Sequence, residues 1–277
     1  MKKLIYFFGM LFILAQFSQP ALAEINDSKD LPWERFSFML GGYIADLNSE
    51  LRIGSGTVGA GVSVDVEDAL GMESSMSVFR ADALYRFSRS RRHQVNFTYY
   101  DFRRDATQKI GSEIEWGDHT YPIGTTVDSF LDIRVFKGSY SYAFFQDDRF
   151  RISGSFGLYV MPIDMGIKAD GIGAEEEDIT APLPVFGIKG DFALTPKLFL
   201  KHSFEAFYLE YENFKGSIVA ANIDLEYNVW KNVGLGIGVD TFRLEIEAEG
   251  EDYPGIDFIG ELEFNYIGLL LYTKVYF

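Results

Sequence analysis

The sequence predicts an all-β protein: a transmembrane, antiparallel up-and-down β-barrel of ten strands, with eight or twelve strands as the alternatives. Three observations predict this class. Apolar residues alternate with polar or small ones in segments of about 12 to 20 residues, longer than the strands of most soluble proteins. Very short polar turns alternate with connections that are mostly long. The chain also ends in a phenylalanine, Phe277.

Residues 1–23 have the three parts of a secretory signal peptide, which are a basic start, an apolar run and a cleavage site. Ala21 and Ala23 supply the small residues that cleavage requires. The apolar run of twelve is too short for a membrane-spanning helix, which needs about 20 residues. We therefore expect cleavage near Ala23, an N-terminal periplasmic segment over 24–34 and a barrel over 35–277.

The strands follow from alternation with period two, which places apolar residues on one face and polar or small residues on the other. The same alternation fits a soluble β-sandwich, so the barrel is distinguished from the sandwich by its alternating short and long connections. An even number of strands places both chain ends on the periplasmic side. The predicted strands are about 35–46, 75–88, 92–104, 127–145, 149–167, 182–194, 197–209, 217–230, 232–244 and 258–277. The predicted outer connections are 47–74, 105–126, 168–181, 210–216 and 245–257.

Three features interrupt the alternation. The apolar positions change parity around 134–137 and again around 267–271, and we expect a β-bulge at each place. His202 falls on the predicted lipid face, where a histidine is unusual.

The charge balance excludes several classes of protein. The chain has 25 Lys+Arg against 41 Asp+Glu, a net charge of -16, which disfavours binding to nucleic acid. It has no cysteine, so a disulfide scaffold, a thiolate metal site and a cysteine nucleophile are absent. Without Lys2 and Lys3 of the leader the net charge is -18, and the five outer connections carry all of it. We expect an acidic rim on the outside of the cell.

The inward faces of the predicted strands carry both signs of charge. A ten-stranded barrel is narrow, so we expect these residues to form a salt-bridged plug, with a small cation-selective pore as the alternative. The predicted lumen residues are Arg80, Asp82, Arg86, Asp132, Arg134, Arg151, Lys189, Asp191, Lys201, Glu205, Asp224, Glu226 and Asp240.

Three acidic clusters of the outer connections are the predicted binding residues. Carboxylates are ligands for hard cations, so the clusters suggest Ca²⁺ or Mg²⁺ that bridges to lipopolysaccharide; a solvated surface is the alternative. We expect no other cofactor. The clusters comprise Asp65, Glu67, Asp68, Glu175, Glu176, Glu177, Asp178, Glu249, Glu251 and Asp252.

Catalysis is the least favoured of the candidate functions. Asp118 and His119 are the only rim pair that could form a base and the group that orients it. They suggest a hydrolase of lipid A or peptides, but a solvated loop histidine explains them as well. We expect a protein that is not an enzyme.

Several segments resemble a group of uncharacterised outer-membrane β-barrel proteins of Gram-negative bacteria. They are Val64–Gly71, Phe79–Phe87, Arg91-Arg92-His93, Gly187–Gly190 and the terminal Phe277. The resemblance implies fold and location only. A terminal aromatic residue behind alternating apolar residues is typical of outer-membrane barrels, so we expect Phe277 to be the signal to the barrel assembly machinery. We also expect outer-membrane lipid, lipopolysaccharide and that machinery as partners, and a monomer. The resemblance supplies no activity.

Overall fold

The structure is a computed structural model that describes residues 31–53, 63–117, 119–211, 214–249 and 259–277. The predicted leader lies outside these ranges. Ten long strands dominate the fold: β1 (Phe36–Ile53), β3 (Ser75–Phe87), β4 (His93–Lys109), β7 (Thr126–Gln146), β8 (Phe150–Ala169), β9 (Gly173–Ala193), β10 (Leu198–Tyr211), β11 (Phe214–Trp230), β12 (Val233–Glu249) and β13 (Ile259–Tyr276). The connections contain β2 (Val64–Asp65), helix α1 (Val66–Leu70), β5 (Ile114–Trp116) and β6 (His119–Tyr121). No helix in the described ranges is long and apolar enough to cross a membrane.

The ten long strands form one antiparallel sheet in which each pairs with the next along the chain. β13 also pairs with β1, from Ser37↔Tyr276 to Ile53↔Gly260, and this pairing closes the sheet. The predicted all-β, up-and-down fold is therefore confirmed. We call the end with the short turns the lower end and the opposite end the upper end.

The strands extend further at the upper end than the sequence predicted. β1 continues to Ile53, β9 begins at Gly173 and β12 continues to Glu249. Most of the predicted connection 168–181 and the near ends of 47–74 and 245–257 are therefore strand. The prediction was wrong there because the outward side chains of these extensions are charged, which made the segments look like loops.

The apolar face of each strand changes side part of the way up the barrel. On β13, Leu271 points outward in the lower half and is 54% exposed, whereas Phe264 points inward in the upper half and is 0% exposed. On β1, Ile44 points outward, but Leu47 and Leu51 point inward and are buried. The lower half therefore presents an apolar band to its surroundings, and the upper half has an apolar interior and a polar exterior.

The exchange of apolar and polar faces between the lower and upper halves explains why the apolar positions change parity at two places in the sequence. The register of β13 with its neighbours runs unbroken through 267–271, and that of β7 with β4 runs unbroken through 134–137. The predicted bulges at these positions are wrong, because the environment of the side chains changes while their direction does not. Register shifts occur lower down, at Ala143/Phe145 and at Asn228/Trp230.

The upper half is filled by one apolar core. Inward side chains of the long strands meet side chains from α1 and from the β5–β6 hairpin, which fold over them. Burial of this much apolar surface is the main favourable contribution to the stability of this half. Its largest fully buried members are Trp116, Tyr43, Tyr121, Phe102, Phe264, Leu51, Leu70, Ile110 and Ile114.

His202 has a packing role on the outward face. It is the direct cross-strand partner of Gly190, and its ring stacks on Phe192 with centroids 5.4 Å apart. A Cβ on Gly190 would lie 2.1 Å from His202 Cε1, so the imidazole occupies the space above the glycine. Aromatic side chains often cover a cross-strand glycine in this way.

Candidate functional site

The lower lumen contains a buried ion network that has Glu226 at one centre. The carboxylate of Glu226 accepts hydrogen bonds from Lys274 and from Lys201, the latter at 2.8 Å. Tyr272 adds a hydroxyl at 3.3 Å. The side chain of Glu226 is 2% exposed, so its negative charge is compensated by protein groups.

Asp191 is a second centre, and the N-terminal segment completes it. Asp191 lies 3.4 Å from Arg86 and 3.3 Å from Arg151. Glu34 enters the lumen from below and lies 3.3 Å from both Arg86 and Lys274. Trp33 beside it is 1% exposed. The sequence analysis assigned residues 24–34 to the periplasm and therefore missed Glu34, whereas the inward parity of Lys274 was a usable signal.

The remaining predicted lumen charges lie higher in the barrel. Glu205 pairs with Lys137 and lies 3.6 Å from Lys189. Arg80 pairs with Asp82 at 2.7 Å and with Asp240 at 2.8 Å, below the apolar core.

Asp224 also points inward and accepts a hydrogen bond from Asn222 at 2.8 Å. Two predicted lumen residues do not face inward. Asp132 and Arg134 lie on the outside of β7, where Arg134 contacts Asp164 at 2.6 Å and is 43% exposed. The prediction was wrong because it took the polar face of β7 to point inward in the upper half as it does in the lower half. The ion network thus occupies the lower lumen, and the apolar core occupies the upper lumen.

The outside of the upper half carries a group of charged residues on adjacent strands. Glu50, Glu263 and Glu245 are direct cross-strand neighbours on β1, β13 and β12. Like charges in such positions repel and destabilise a sheet unless a cation lies between them. We call the following residues the charged belt: Glu50, Arg52, Lys215, Arg243, Glu245, Glu247, Glu261 and Glu263.

Three cations of the charged belt partly compensate its acids. Arg52 lies 3.2 Å from Glu247 and 3.0 Å from Glu261. Lys215 donates to Glu245, and Arg243 lies 3.5 Å from Glu263.

One group of acids within the belt has metal-ligand spacing. Carboxylate oxygens of Glu245, Glu261 and Glu263 lie within 4.8 Å of one another, a spacing that a hard cation could bridge. Glu50 and Glu245 fall in predicted loops, so their pairing with Glu263 was not predictable from the sequence.

The first predicted acidic cluster has structural contacts. The Asp65 carboxylate accepts from the N–H of Asp68 at 2.7 Å and caps α1. Glu67 accepts from the Ser49 N–H at 2.9 Å and pairs with Arg104 of β4. These contacts fasten α1 over the barrel.

The second cluster lies along the upper part of β9, and one member contacts the rim histidine. His119 Nδ1 lies 2.5 Å from Glu175 Oε1. Glu176 and Asp178 point outward and are exposed, and Glu177 is on the same strand. Asp118, Glu251 and Asp252 lie outside the described residues, as does the side chain of Glu249. The carboxylate that contacts His119 is therefore Glu175, a pairing that sequence adjacency did not indicate.

Neither a protein-family model nor a curated protein sequence matches the chain. Among solved structures, the outer membrane protease OmpT of Escherichia coli matches with a TM-score of 0.57 at 9% identity, covering 90% of this chain and 100% of that one. The transport unit of the autotransporter AIDA-I from Escherichia coli has a TM-score of 0.42 at 10% identity, covering 98% and 97%. Ail of Yersinia pestis has a TM-score of 0.38 at 10% identity, covering 87% and 99%. The likeness to OmpT shows the fold of an outer-membrane β-barrel.

Proposed function

We propose that this outer-membrane β-barrel is a non-conducting structural protein whose charged belt binds the headgroups of lipopolysaccharide in the outer leaflet. One observation carries the proposal. The outward face of the barrel changes from an apolar band to charged residues, as from Ile44 to Glu50 on β1 and from Ile267 to Glu263 on β13. In a membrane barrel, the end of the apolar band lies at the level of the lipid headgroups.

The chemistry of the charged belt suits a headgroup that carries both phosphates and bound divalent cations. Arg52, Lys215 and Arg243 can donate to phosphate oxygens. Glu245 and Glu263 can share a cation with the headgroup, which would also relieve the repulsion between them. A magnesium or calcium ion at this place is part of the proposal.

The test compares the amount of lipopolysaccharide that copurifies with the parent barrel and with a variant that lacks two of the belt carboxylates. We expect Glu245→Gln/Glu263→Gln to lose most of the lipopolysaccharide that copurifies with the parent protein, because the cation bridge needs both carboxylates. Chelation with EDTA should produce the same loss in the parent and little further loss in the variant.

A matched control is Glu73→Gln/Glu113→Gln, which removes the same charge from two exposed residues away from the charged belt. This control should retain lipopolysaccharide like the parent. Equal retention by all three proteins, with or without EDTA, would contradict the proposed function.

The residues that occupy the lumen support a separate prediction. Planar-bilayer recordings of the full-length barrel should show no conductance steps, because the ion network closes the lower lumen and the apolar core closes the upper. A known porin in the same bilayers is the positive control. Regular steps with cation selectivity would favour the pore instead.

A rim hydrolase is the second candidate, and the contact between His119 and Glu175 favours it. A carboxylate on Nδ1 can orient an imidazole as a general base. If the barrel hydrolyses lipid A or peptide substrates, His119→Ala should lower the rate by about 100-fold or more, and Glu175→Gln by less. Activity that survives His119→Ala would remove this candidate.

A further inference from the structure

The barrel wall has a seam between β9 and β10 near its upper end. In the part of the chain that the structure describes, β9 and β10 pair only from Phe199↔Ala193 to Ala206↔Phe186. Above that row β9 continues to pair with β8, and β10 with β11. Residues 181–185 therefore face residues 207–211 without ladder hydrogen bonds, and we call this stretch the β9–β10 seam.

Two prolines account for the seam. The N–H of Leu194 donates to the first residue of β10 at 2.9 Å, whereas the N–H of Ala193 donates to the residue before β8 at 2.8 Å. Because alternate residues direct their backbone groups to opposite neighbours, the even-numbered residues of β9 face β10. Pro182 and Pro184 are in this set and have no N–H. The donors that would continue the ladder are therefore missing.

A comparable break in the hydrogen-bond ladder, between β3 and β4, is covered by another segment of the chain. β3 and β4 pair only from Phe87↔His93 to Arg80↔Tyr100. Above that row α1 lies against β4, fastened by the pair between Glu67 and Arg104. No comparable segment lies over the β9–β10 seam among the residues that the structure describes.

Both sides of the seam are apolar. On the outside, Pro182 is exposed and Tyr208 is 59% exposed; the first charged residues are Glu210, level with Pro182 at the top of the seam, and Asp178 above it. The seam therefore opens at the upper edge of the lipid-facing band.

On the inside, Leu183 reaches behind β10. Its Cδ2 lies 3.3 Å from the place that a Cβ on Gly216 of β11 would occupy. Val185, next to it on the inward face, is 1% exposed and belongs to the apolar core. The seam thus separates the lipid band from an apolar interior, and Leu183 lies behind it next to the ring of Phe214, whose Cζ is 3.0 Å from the same point.

The two prolines also restrict the kind of partner that can enter the β9–β10 seam. An added β-strand would need backbone donors along β9, and proline at an edge prevents such pairing. An alkyl chain needs only apolar walls. We infer that the β9–β10 seam admits the acyl chain of an outer-leaflet lipid into the apolar upper lumen, with Leu183 moving off Gly216. This inference is independent of the charged belt.

The experiment uses the full barrel refolded into phosphatidylcholine vesicles that contain a phosphatidylcholine with a diazirine near the end of one acyl chain. After irradiation, mass spectrometry locates the labelled residues. We expect label on the inward residues Leu183, Phe207 and Leu209 in addition to the outward residues Phe186 and Phe204. Leu183→Ala should increase the inward label because the obstructing side chain is shortened.

Pro182→Ala/Pro184→Ala restores two donors to β10, which should lower the inward label by about 5- to 30-fold and leave the outward label unchanged. Pro162→Ala on β8 is the matched control and should label like the parent. Heat-modifiable gel migration checks that each barrel is folded. The inference is overturned if inward label is absent from both the parent and Leu183→Ala, or if a folded proline variant keeps it. The belt variant, measured by retained lipopolysaccharide, reports on the proposed function separately.

Discussion

Replacing Glu226 with alanine is expected to destabilise the barrel by about 3–5 kcal/mol, because it leaves Lys201 and Lys274 inside the lumen with Glu34 as the carboxylate that still contacts them, at 3.9 Å and 3.3 Å. Lys201 and Lys274 both donate to Glu226, and the three side chains are 19%, 5% and 2% exposed in the order Lys201, Lys274, Glu226. The measurement is the free energy of unfolding in urea, with heat-modifiable migration as the signal.

The double variant Glu226→Ala/Lys274→Met should recover part of this loss, since one of the two lysine charges is removed. Glu73→Ala, on the exposed surface, should change the free energy by no more than about 0.5 kcal/mol. A loss below about 1 kcal/mol for Glu226→Ala would mean that water enters the lower lumen and solvates the lysines.

The second large effect is expected in the upper half. Phe264→Ala should cost about 3–5 kcal/mol, because the side chain is fully buried and the substitution leaves a cavity. The Phe264 ring packs edge-on against Phe102, with centroids 5.0 Å apart, and Arg104 lies over it at 6.0 Å. Urea unfolding of the refolded barrel measures the change.

Phe264→Leu is the control for this substitution, since it keeps most of the buried volume and should retain most of the stability. If Phe264→Ala were nearly neutral, the upper half would be an open, hydrated vestibule rather than a packed core. That outcome would also restore the pore as a candidate.

The lower half of the barrel was predictable from the sequence because the alternation there coincides with the lipid band. Phe79–Phe87, for example, lies within β3. The short turn at 195–197 separates β9 from β10, and that at 231–232 separates β11 from β12. These are local signals, since a turn and its flanking apolar residues lie within a few positions of each other.

The upper half was not predictable in the same way. Leu47, Leu51 and Ile53 alternate with Glu50 and Arg52, and a period of two does not say which face lies inside. Their direction follows only from the pairing of β1 with β13, more than 200 positions along the chain, as the register Glu50↔Glu263 shows. The charged belt depends on the same long-range register and was missed for the same reason.

The β9–β10 seam was even less predictable from the sequence. Pro182 and Pro184 are visible in the sequence, but their effect depends on which neighbour their backbone faces. That requires the hydrogen-bond phase of β9, which only the structure provides.

The exchange of polarity along each strand has a kinetic consequence for membrane insertion. In the orientation of the proposed function, every strand of the charged belt carries its upper, charged end across the bilayer before the barrel is in place. An arginine or lysine at the bilayer midplane costs about 2–4 kcal/mol, and the belt contains three such residues and five carboxylates. Spontaneous insertion of single strands therefore meets a large barrier. Rapid assembly requires that the upper halves cross while they are already folded around their apolar core or shielded by a catalyst.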